Sequence, residues 1–332
     1  MKNSTIACLC TAALALSAGC GDPSDDRFRR AIPNEDSVRV NAPDSTAQAL
    51  TVAGQTSEYY KLTRKFSRDV NGGIAAFLSL IHQITLEPPT TRDGDKRVWG
   101  PGSDALDPAI YRLTVIEEGG DQFTYTLAAR PKGSPDIDAN YLALISGEAD
   151  TSSGTRDGKG SITLHVDGWV ERDPTACGTG SVKATYDTTA EPQSLSINFV
   201  DFLSCEDQQA GKAPWKSASY YFDRAQDGSG NFQFVFAGDV HDRAFAPVAN
   251  ETFAIRSRWN AIGQGRADVS ISAGDLELRS GVAAVKASEC WDEGFALVFA
   301  SMDPEIIDAS HVLGTADKCA PAFARPLYAT DL

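Results

Sequence analysis

The alternation of apolar and polar side chains after Trp99 is the feature that most constrains the fold. Apolar residues occupy every second position in segments such as "YRLTVIE", "FTYTLAAR", "SITLHVD", "SINFVDF" and "NFQFVFAG". A period of two places these side chains on one face of a β-strand. Turns rich in Gly, Asp and Ser, such as "EEGGDQ" and "AQDGSGN", separate the segments. We therefore expect ten or so antiparallel strands, each with one apolar face.

A helical period precedes the strands, from Ser57 to about Leu86. Ser57 can cap the helix, "EPPT" at 87–90 stops it, and "NGG" at 71–73 predicts a break or kink. The apolar residues that recur every three or four positions are Tyr59, Leu62, Phe66, Val70, Ile74, Phe77, Leu78 and Ile81. The predicted fold is therefore mainly antiparallel β with one N-terminal α-helix packed on it. The strands form either a sandwich or a sheet curled into a half-barrel or a barrel-like shape.

Two of the predicted strands carry large apolar side chains on one face. These residues are Phe232, Phe234 and Phe236 on the first strand and Phe253, Ile255 and Trp259 on the second. A sheet core is the usual explanation, and a wide apolar lining that holds a lipid or another hydrophobic ligand is the alternative. Arg256 and Arg258 occupy the opposite face, where we expect pairing with neighbouring carboxylates; binding of an anionic headgroup is the alternative.

The first 19 residues have the pattern of a secretory signal. Lys2 is followed by a short apolar run that ends in small residues, and this run is too short to span a bilayer. The sequence "LSAGC" at 16–20 resembles the lipobox of bacterial lipoproteins, although Ser17 stands where that family most often has Leu. This resemblance implies that Cys20 becomes the first residue and carries acyl chains, so that the membrane is a partner. An ordinary signal peptide that is cut nearby is the alternative.

The charge of the chain limits which partners it can bind. Changes in composition along the chain indicate where its segments begin and end. The 45 acidic and 30 basic residues give a net charge of −15, which disfavours nucleic acid and anionic lipid surfaces. Residues 20–55 are rich in Asp, Pro, Ser and Asn and are expected to form a flexible tether that includes the basic cluster "RFRR" at 27–30. Residues 56–332 are expected to form a single β-rich domain. The expected location is the cell envelope, anchored in the outer membrane and facing the periplasm or the cell surface.

Four cysteines remain once Cys8, Cys10 and Cys20 are set aside. An even number in an exported protein predicts two disulfides, and three pairings are possible. We favour the local scheme because it closes two loops of similar length: Cys177 with Cys205, and Cys290 with Cys319. A zinc site is disfavoured because no C-x2-C pair exists. A reactive thiol is also disfavoured, because Cys290 lies between acidic residues and has no basic neighbour to lower its pKa.

Other motifs of catalysis are missing from the sequence. It contains no H-E-x-x-H, no G-x-S-x-G, no P-loop and no complete G-x-G-x-x-G. "GDVHDR" brings Asp239, His241 and Asp242 together at a spacing that could serve a metal, but the solvated end of a strand is expected. We therefore predict no catalytic residue, no metal site and no cofactor.

Several short elements carry a family resemblance. They are "RWNAIGQGRADV" at 258–269, "ASECWDEGF" at 287–295, "VWGP" at 98–101 and "LAARPKG" at 127–133. With them, residues 57–305 resemble a group of uncharacterised lipoproteins of Gram-negative bacteria. The resemblance implies the lipid anchor, the order of one helix followed by strands, and a structural role for the cysteines. It implies no reaction, ligand or cofactor.

Three functions are compatible with these features. The favoured expectation is a lipid-anchored envelope protein with a non-enzymatic binding or scaffolding role, whose partner is another envelope protein. The first alternative is a carrier or sensor that holds a hydrophobic, lipid-like ligand in a β-sheet cavity. The second alternative is an envelope hydrolase whose site has no recognised motif.

Overall fold

A computed structural model describes residues 22–43, 55–105, 107–154, 158–173, 175–215, 217–238, 249–304 and 312–329. Within these ranges, fourteen strands form one antiparallel sheet in which each strand pairs with its neighbours in the chain. The sheet is curled but not closed, with β1 and β14 at its edges. The prediction of a curled antiparallel sheet is therefore confirmed, and the sandwich alternative is wrong.

The alternating segments predicted ten or so strands, and the described residues form fourteen strands. They are β1 Thr91–Asp93, β2 Lys96–Gly102, β3 Ala109–Gly119, β4 Gln122–Pro131, β5 Leu142–Asp150, β6 Lys159–His165, β7 Thr179–Asp187, β8 Gln193–Leu203, β9 Ser217–Arg224, β10 Gly230–Gly238, β11 Glu251–Trp259, β12 Gly265–Ala273, β13 Ala284–Trp291 and β14 Leu297–Asp303. The α-helices are α1 Pro23–Arg30, α2 Glu58–Leu86, α3 Val166–Arg172, α4 Cys205–Gln209 and α5 Leu276–Ser280.

The long helix α2 lies against the concave face of the curled sheet. Its 29 residues span about 44 Å, enough to cross many strands. Ser57 caps it as predicted, because its side chain accepts a hydrogen bond from the backbone N–H of Tyr60. The predicted break at "NGG" is wrong, since the helix is continuous through it. The side chain of Asn71 there bonds both backbone groups of Val40, at 2.8 Å each.

The N-terminus of α2 is fixed by a buried carboxylate on β13. Glu289 accepts hydrogen bonds from the Ser57 hydroxyl at 2.6 Å and from the Tyr59 backbone N–H at 3.0 Å. A negative charge at a helix N-terminus is stabilised by the helix dipole. Tyr60 stacks on Phe295, with ring centroids 4.3 Å apart. The "SECW" segment therefore positions the start of α2.

Two tryptophans pack over glycines of neighbouring strands in the same way. The Trp259 ring lies over Gly230 and the Trp291 ring over Gly265, where an added Cβ would come within 2.7 Å and 2.4 Å of the indole. The indole N–H of Trp259 donates to the Gly228 carbonyl, and that of Trp291 donates to the Gly263 carbonyl. These positions therefore require glycine, which explains the first residues of "GNFQ" and "GRAD".

The N-terminal segment 22–43 packs on the domain, so the prediction of a flexible tether is wrong for these residues. Phe28 is fully buried and meets Phe123 edge to face at 5.6 Å. Asp25 is also fully buried, and it forms ion pairs with Arg92 and Arg97 at 2.8 Å each. The "RFRR" cluster is engaged as well, since Arg27 pairs with Glu117. A buried aromatic ring and a buried ion pair hold this segment on the domain. Its polar composition gave no indication of either contact.

The C-terminal segment 312–329 covers part of the convex face. Asp268 of β12 is fully buried there and bonds Arg266 at 2.6 Å and Arg258 at 3.1 Å. Arg266 donates to the carbonyl of Phe323, and Asp268 accepts from the backbone N–H of Leu327. The charged network thereby fastens the segment to β11 and β12.

Candidate functional site

The cysteines form the two disulfides of the local scheme. Cys177 is bonded to Cys205, and Cys290 is bonded to Cys319. The prediction of this pairing is confirmed, and none of the four is a free thiol or a zinc ligand. The Cys290–Cys319 disulfide lies on the convex side of the sheet and holds the C-terminal segment. The Cys177–Cys205 disulfide lies beside the opening of the cleft that is described below.

Several predicted sites lie outside the described residues. These are Cys20 and the triplet Asp239, His241 and Asp242. Among the described residues, no three His, Cys, Asp or Glu side chains are grouped to hold a metal ion. In that same part of the chain, no helix has the length and apolarity that crossing a membrane requires. Lipidation of Cys20 remains a prediction.

One serine and one histidine meet on the sheet surface. The Ser146 hydroxyl lies 2.9 Å from Nε2 of His165, whose pKa is lowered by partial burial. A hydrolytic serine needs its histidine to be oriented by a third group. No described residue forms a hydrogen bond with the other ring nitrogen of His165. We therefore assign no hydrolytic site to this pair.

The feature with the strongest functional character is a cleft between α2 and the concave face of β5–β10. It has a volume of about 510 Å³ and opens to solvent. From the helix, its wall is formed by Phe66, Val70, Ile74 and Phe77. From the sheet, its wall is formed by Ile145, Ile162, Leu164, Val182, Ala184, Ile197, Phe199, Tyr220 and Phe234. Ligand sites of proteins typically measure about 300–1,000 Å³ and have mainly apolar linings.

The cleft arises because, within the described residues, a covering segment packs on only one flank of α2. On one flank, the segment 22–43 contacts the helix through Asn71 and through His82, whose ring lies 3.3 Å from the Pro33 carbonyl. The apolar residues Phe66, Val70 and Phe77 recur at helical spacing on the other flank and line the cleft. Space therefore remains between this flank and the sheet.

Aromatic rings form the wall near the opening. Phe199 and Phe202 of β8 and Trp215 of the β8–β9 connection meet edge to face, with centroids 5.2–5.6 Å apart. Trp215 also contacts Phe234 and Phe236 of β10. This cluster lies at the β8–β9 end of the sheet. The β1–β2 and β3–β4 turns beside α1 lie at the other end, because successive turns of an antiparallel meander alternate.

The rim of the opening carries the charged residues of the cleft. Lys65 and Asp69 of α2 form an ion pair at 2.7 Å, and Glu206 and Asp207 of α4 lie across from them. Ser204 caps α4 by accepting from the backbone N–H of Asp207. The disulfide of Cys205, the first residue of α4, ties this helix to the chain before β7. The ion pair lies on the α2 side of the rim, and the cap and the disulfide fix the α4 side.

One polar group is buried in the wall. Tyr220 is 1 % exposed, and its hydroxyl has no well-aligned hydrogen-bond partner among the described residues; Ser67 is the polar side chain that affects it. Burial raises the pKa of Tyr220 well above its usual value, and Ser67 lowers it by less. The phenol therefore stays protonated and adds no charge to the apolar wall.

The sequence identified part of this site. Of the two predicted aromatic faces, Phe234 lines the cleft, whereas Phe232, Ile255 and Trp259 belong to the packed core. Arg258 pairs with Asp268 as expected. Phe202 was missed because it is out of phase with Ile197 and Phe199 within "SINFVDF", and Trp215 was missed because it lies in the connection between β8 and β9. The aromatic residues on both sides of Cys205 were the available signal.

No protein-family model, no curated protein and no solved structure matches this chain. The geometry of the cleft therefore carries the functional conclusion.

Proposed function

We propose that this protein is a lipid-anchored component of the bacterial cell envelope that binds a hydrophobic, lipid-like ligand in the cleft between α2 and β5–β10. The observation that carries the proposal is an open apolar space of about 510 Å³ beside the buried hydrophobic core. Protein interiors are close-packed, and unfilled apolar volume costs stability. A purely scaffolding role leaves this space without a purpose.

Two sequence features support the envelope location. The "LSAGC" segment resembles a lipobox, which implies an acylated Cys20. Disulfides persist in compartments outside the reducing cytoplasm, and the described residues form two. The Cys20→Ser variant should leave the membrane fraction. Retention of this variant in membranes would contradict the anchor but not the cleft.

Native mass spectrometry tests the cleft directly. The Cys20→Ser variant, purified without detergent, should carry a bound small molecule that organic extraction removes. The stripped protein should then bind N-phenylnaphthylamine, a neutral dye that fluoresces in apolar sites. A stripped protein that does not bind the dye would overturn the proposal.

A matched pair of substitutions locates the dye. Val182 of β7 lines the cleft, and its neighbour Lys183 is exposed on the other face of the same strand. Val182→Trp should fill the cleft and weaken dye binding at least about tenfold, a loss of about 1.4 kcal/mol. Lys183→Trp should bind the dye as the unsubstituted protein does. Equal binding by the two variants would place the dye elsewhere.

A further inference from the structure

The charges of the cleft are confined to its opening, and most of them are negative. The lining contains three carboxylates, those of Asp69, Glu206 and Asp207, and one ammonium group, that of Lys65. The wall below the rim consists of the apolar residues already described and the protonated Tyr220. A ligand in the cleft would therefore place its apolar part inside and its polar part among these rim groups.

Among the described residues, the two ammonium groups near the opening are already paired. The Lys65 ammonium lies 2.7 Å from a carboxylate oxygen of Asp69, and the Lys212 ammonium lies 2.7 Å from one of Asp207. Glu206 adds a carboxylate on the first turn of α4. The opening therefore presents excess negative charge, in a chain whose net charge is −15. An anionic headgroup would meet repulsion there, whereas a cationic group would meet attraction.

The volume restricts the apolar part of the ligand. About 510 Å³ is in the lower half of the range for sites that take drug-sized ligands. The space is bounded by one helix and one sheet, which form a single trough. This shape suits one hydrocarbon chain rather than the several chains of a whole membrane lipid.

We propose that the ligand is a single-chain amphiphile whose polar end carries positive charge, with the chain in the trough and the cationic group at Asp69, Glu206 and Asp207. This inference rests on the proposed function and specifies the ligand of the same cleft. An ion pair at an exposed site changes affinity by about 1.4- to 5-fold, so attraction of a cationic ligand and repulsion of an anionic one should together separate their affinities about tenfold.

Three probes that share one chain length test this inference. Cetyltrimethylammonium is cationic, monopalmitin is neutral and palmitate is anionic; each displaces N-phenylnaphthylamine from the stripped protein, below its micelle concentration. The cationic probe should bind about tenfold more tightly than palmitate, with monopalmitin between them. The difference should shrink as salt rises, because exposed charges are screened. Palmitate binding as tightly as the cationic probe would overturn the inference.

A charge reversal at the rim supplies the second measurement. Glu206→Lys should bring the affinities of the cationic probe and palmitate within about twofold of each other. Glu118→Lys makes the same charge change at the β3–β4 turn, at the other end of the sheet, and should leave the tenfold difference intact. An equal response to both variants would mean that net charge, not the rim, ranks the probes, and the inference would fail.

Failure of the inference and failure of the proposed function give different results. If none of the three probes displaces the dye, and the dye itself binds equally to the Val182→Trp and Lys183→Trp variants, the cleft is not a binding site. If all three displace the dye with equal affinity, the cleft binds apolar chains but does not select their charge, and the inference alone is overturned.

Discussion

The two flanks of α2 face the same curled sheet, yet one is closed and the other is open. On the closed flank, residues 22–43 seal the space with Phe28, Asp25 and backbone contacts to Asn71. On the open flank, apolar residues such as Phe66 and Phe77 line the cleft. The difference teaches that apolar side chains on a helix do not by themselves fill a core. A covering segment must supply the remaining contacts.

The largest expected effect concerns the ion pairs that hold the closed flank. Asp25→Ala leaves Arg97, which is 6 % exposed, without its carboxylate and should lower the free energy of unfolding by about 3–5 kcal/mol. Asp26→Ala removes the neighbouring, exposed acid and should cost less than about 1 kcal/mol. Urea denaturation of the two variants measures this difference. Equal losses would show that the segment is not held by the buried pair.

The contribution of these ion pairs to the free energy of unfolding depends on pH and is lost in acid. Burial alone raises the pKa of Asp25, but the hydrogen bonds and charges of Arg92 and Arg97 outweigh it and hold the pKa below its usual value. A folded-state pKa below that of the unfolded chain, about 3.9, gives stability that is present above that pH and is lost below it. The stability gap between the unsubstituted protein and Asp25→Ala should therefore narrow below about pH 4.

An isoleucine pair compares the packing of the fully buried part of α2 with that of the cleft. Ile81 is fully buried, and Ile81→Ala should cost about 2–5 kcal/mol because it leaves a cavity. Ile74 lines the cleft, where solvent or ligand occupies the vacated space, so Ile74→Ala should cost about 1 kcal/mol. Thermal or urea unfolding measures both. A cost of Ile74→Ala as large as that of Ile81→Ala would mean that the open flank is packed as a core.

The two disulfides provide a further comparison. Their loops are nearly equal, with separations of 28 and 29 residues, so replacing both cysteines of either bridge by Ser should cost about 2–4 kcal/mol. Only loss of Cys177–Cys205 should also weaken dye binding, because that bridge holds α4 at the rim. Fluorescence titration of the two double variants measures this. If dye binding weakened in the Cys290–Cys319 variant instead, the claim that the Cys177–Cys205 disulfide supports the binding site would be wrong.

The smallest expected effect separates two buried tyrosines. The Tyr125 hydroxyl donates to the Ser161 carbonyl at 2.9 Å, so Tyr125→Phe should cost about 1 kcal/mol. The Tyr220 hydroxyl in the cleft wall has no well-aligned hydrogen-bond partner among the described residues, so Tyr220→Phe should leave the free energy of unfolding unchanged within about 0.5 kcal/mol. Denaturation curves should show this order. A larger loss for Tyr220→Phe would indicate a hydrogen bond there in solution.

The pattern of the sequence predicted the repeated elements well and the covering segments poorly. Alternation after Trp99 predicted most of the strands, and the spacing of Leu62, Phe66 and Val70 predicted α2, because both patterns are local and periodic. β1 and the start of β2 precede Trp99 and were not predicted. Residues 22–43 have no such pattern. Their docking depends on Phe28 and Asp25, whose partners Phe123, Arg92 and Arg97 lie more than sixty residues away. The predicted break at "NGG" was wrong for a related reason. The Asn71 side chain forms a hydrogen bond with the backbone of Val40, a contact that the local sequence does not show.

The sequence by itself determined most of the secondary-structure elements and the antiparallel class of the sheet. Its number of cysteines favoured two disulfides. These properties follow from side-chain periodicity and composition, which act over a few residues or over the chain as a whole. The tertiary structure alone decided that the sheet stays open, that 22–43 covers one flank of α2, and that the other flank borders a cleft. These outcomes depend on contacts between distant residues, because a cavity is the space that several packed elements leave unfilled.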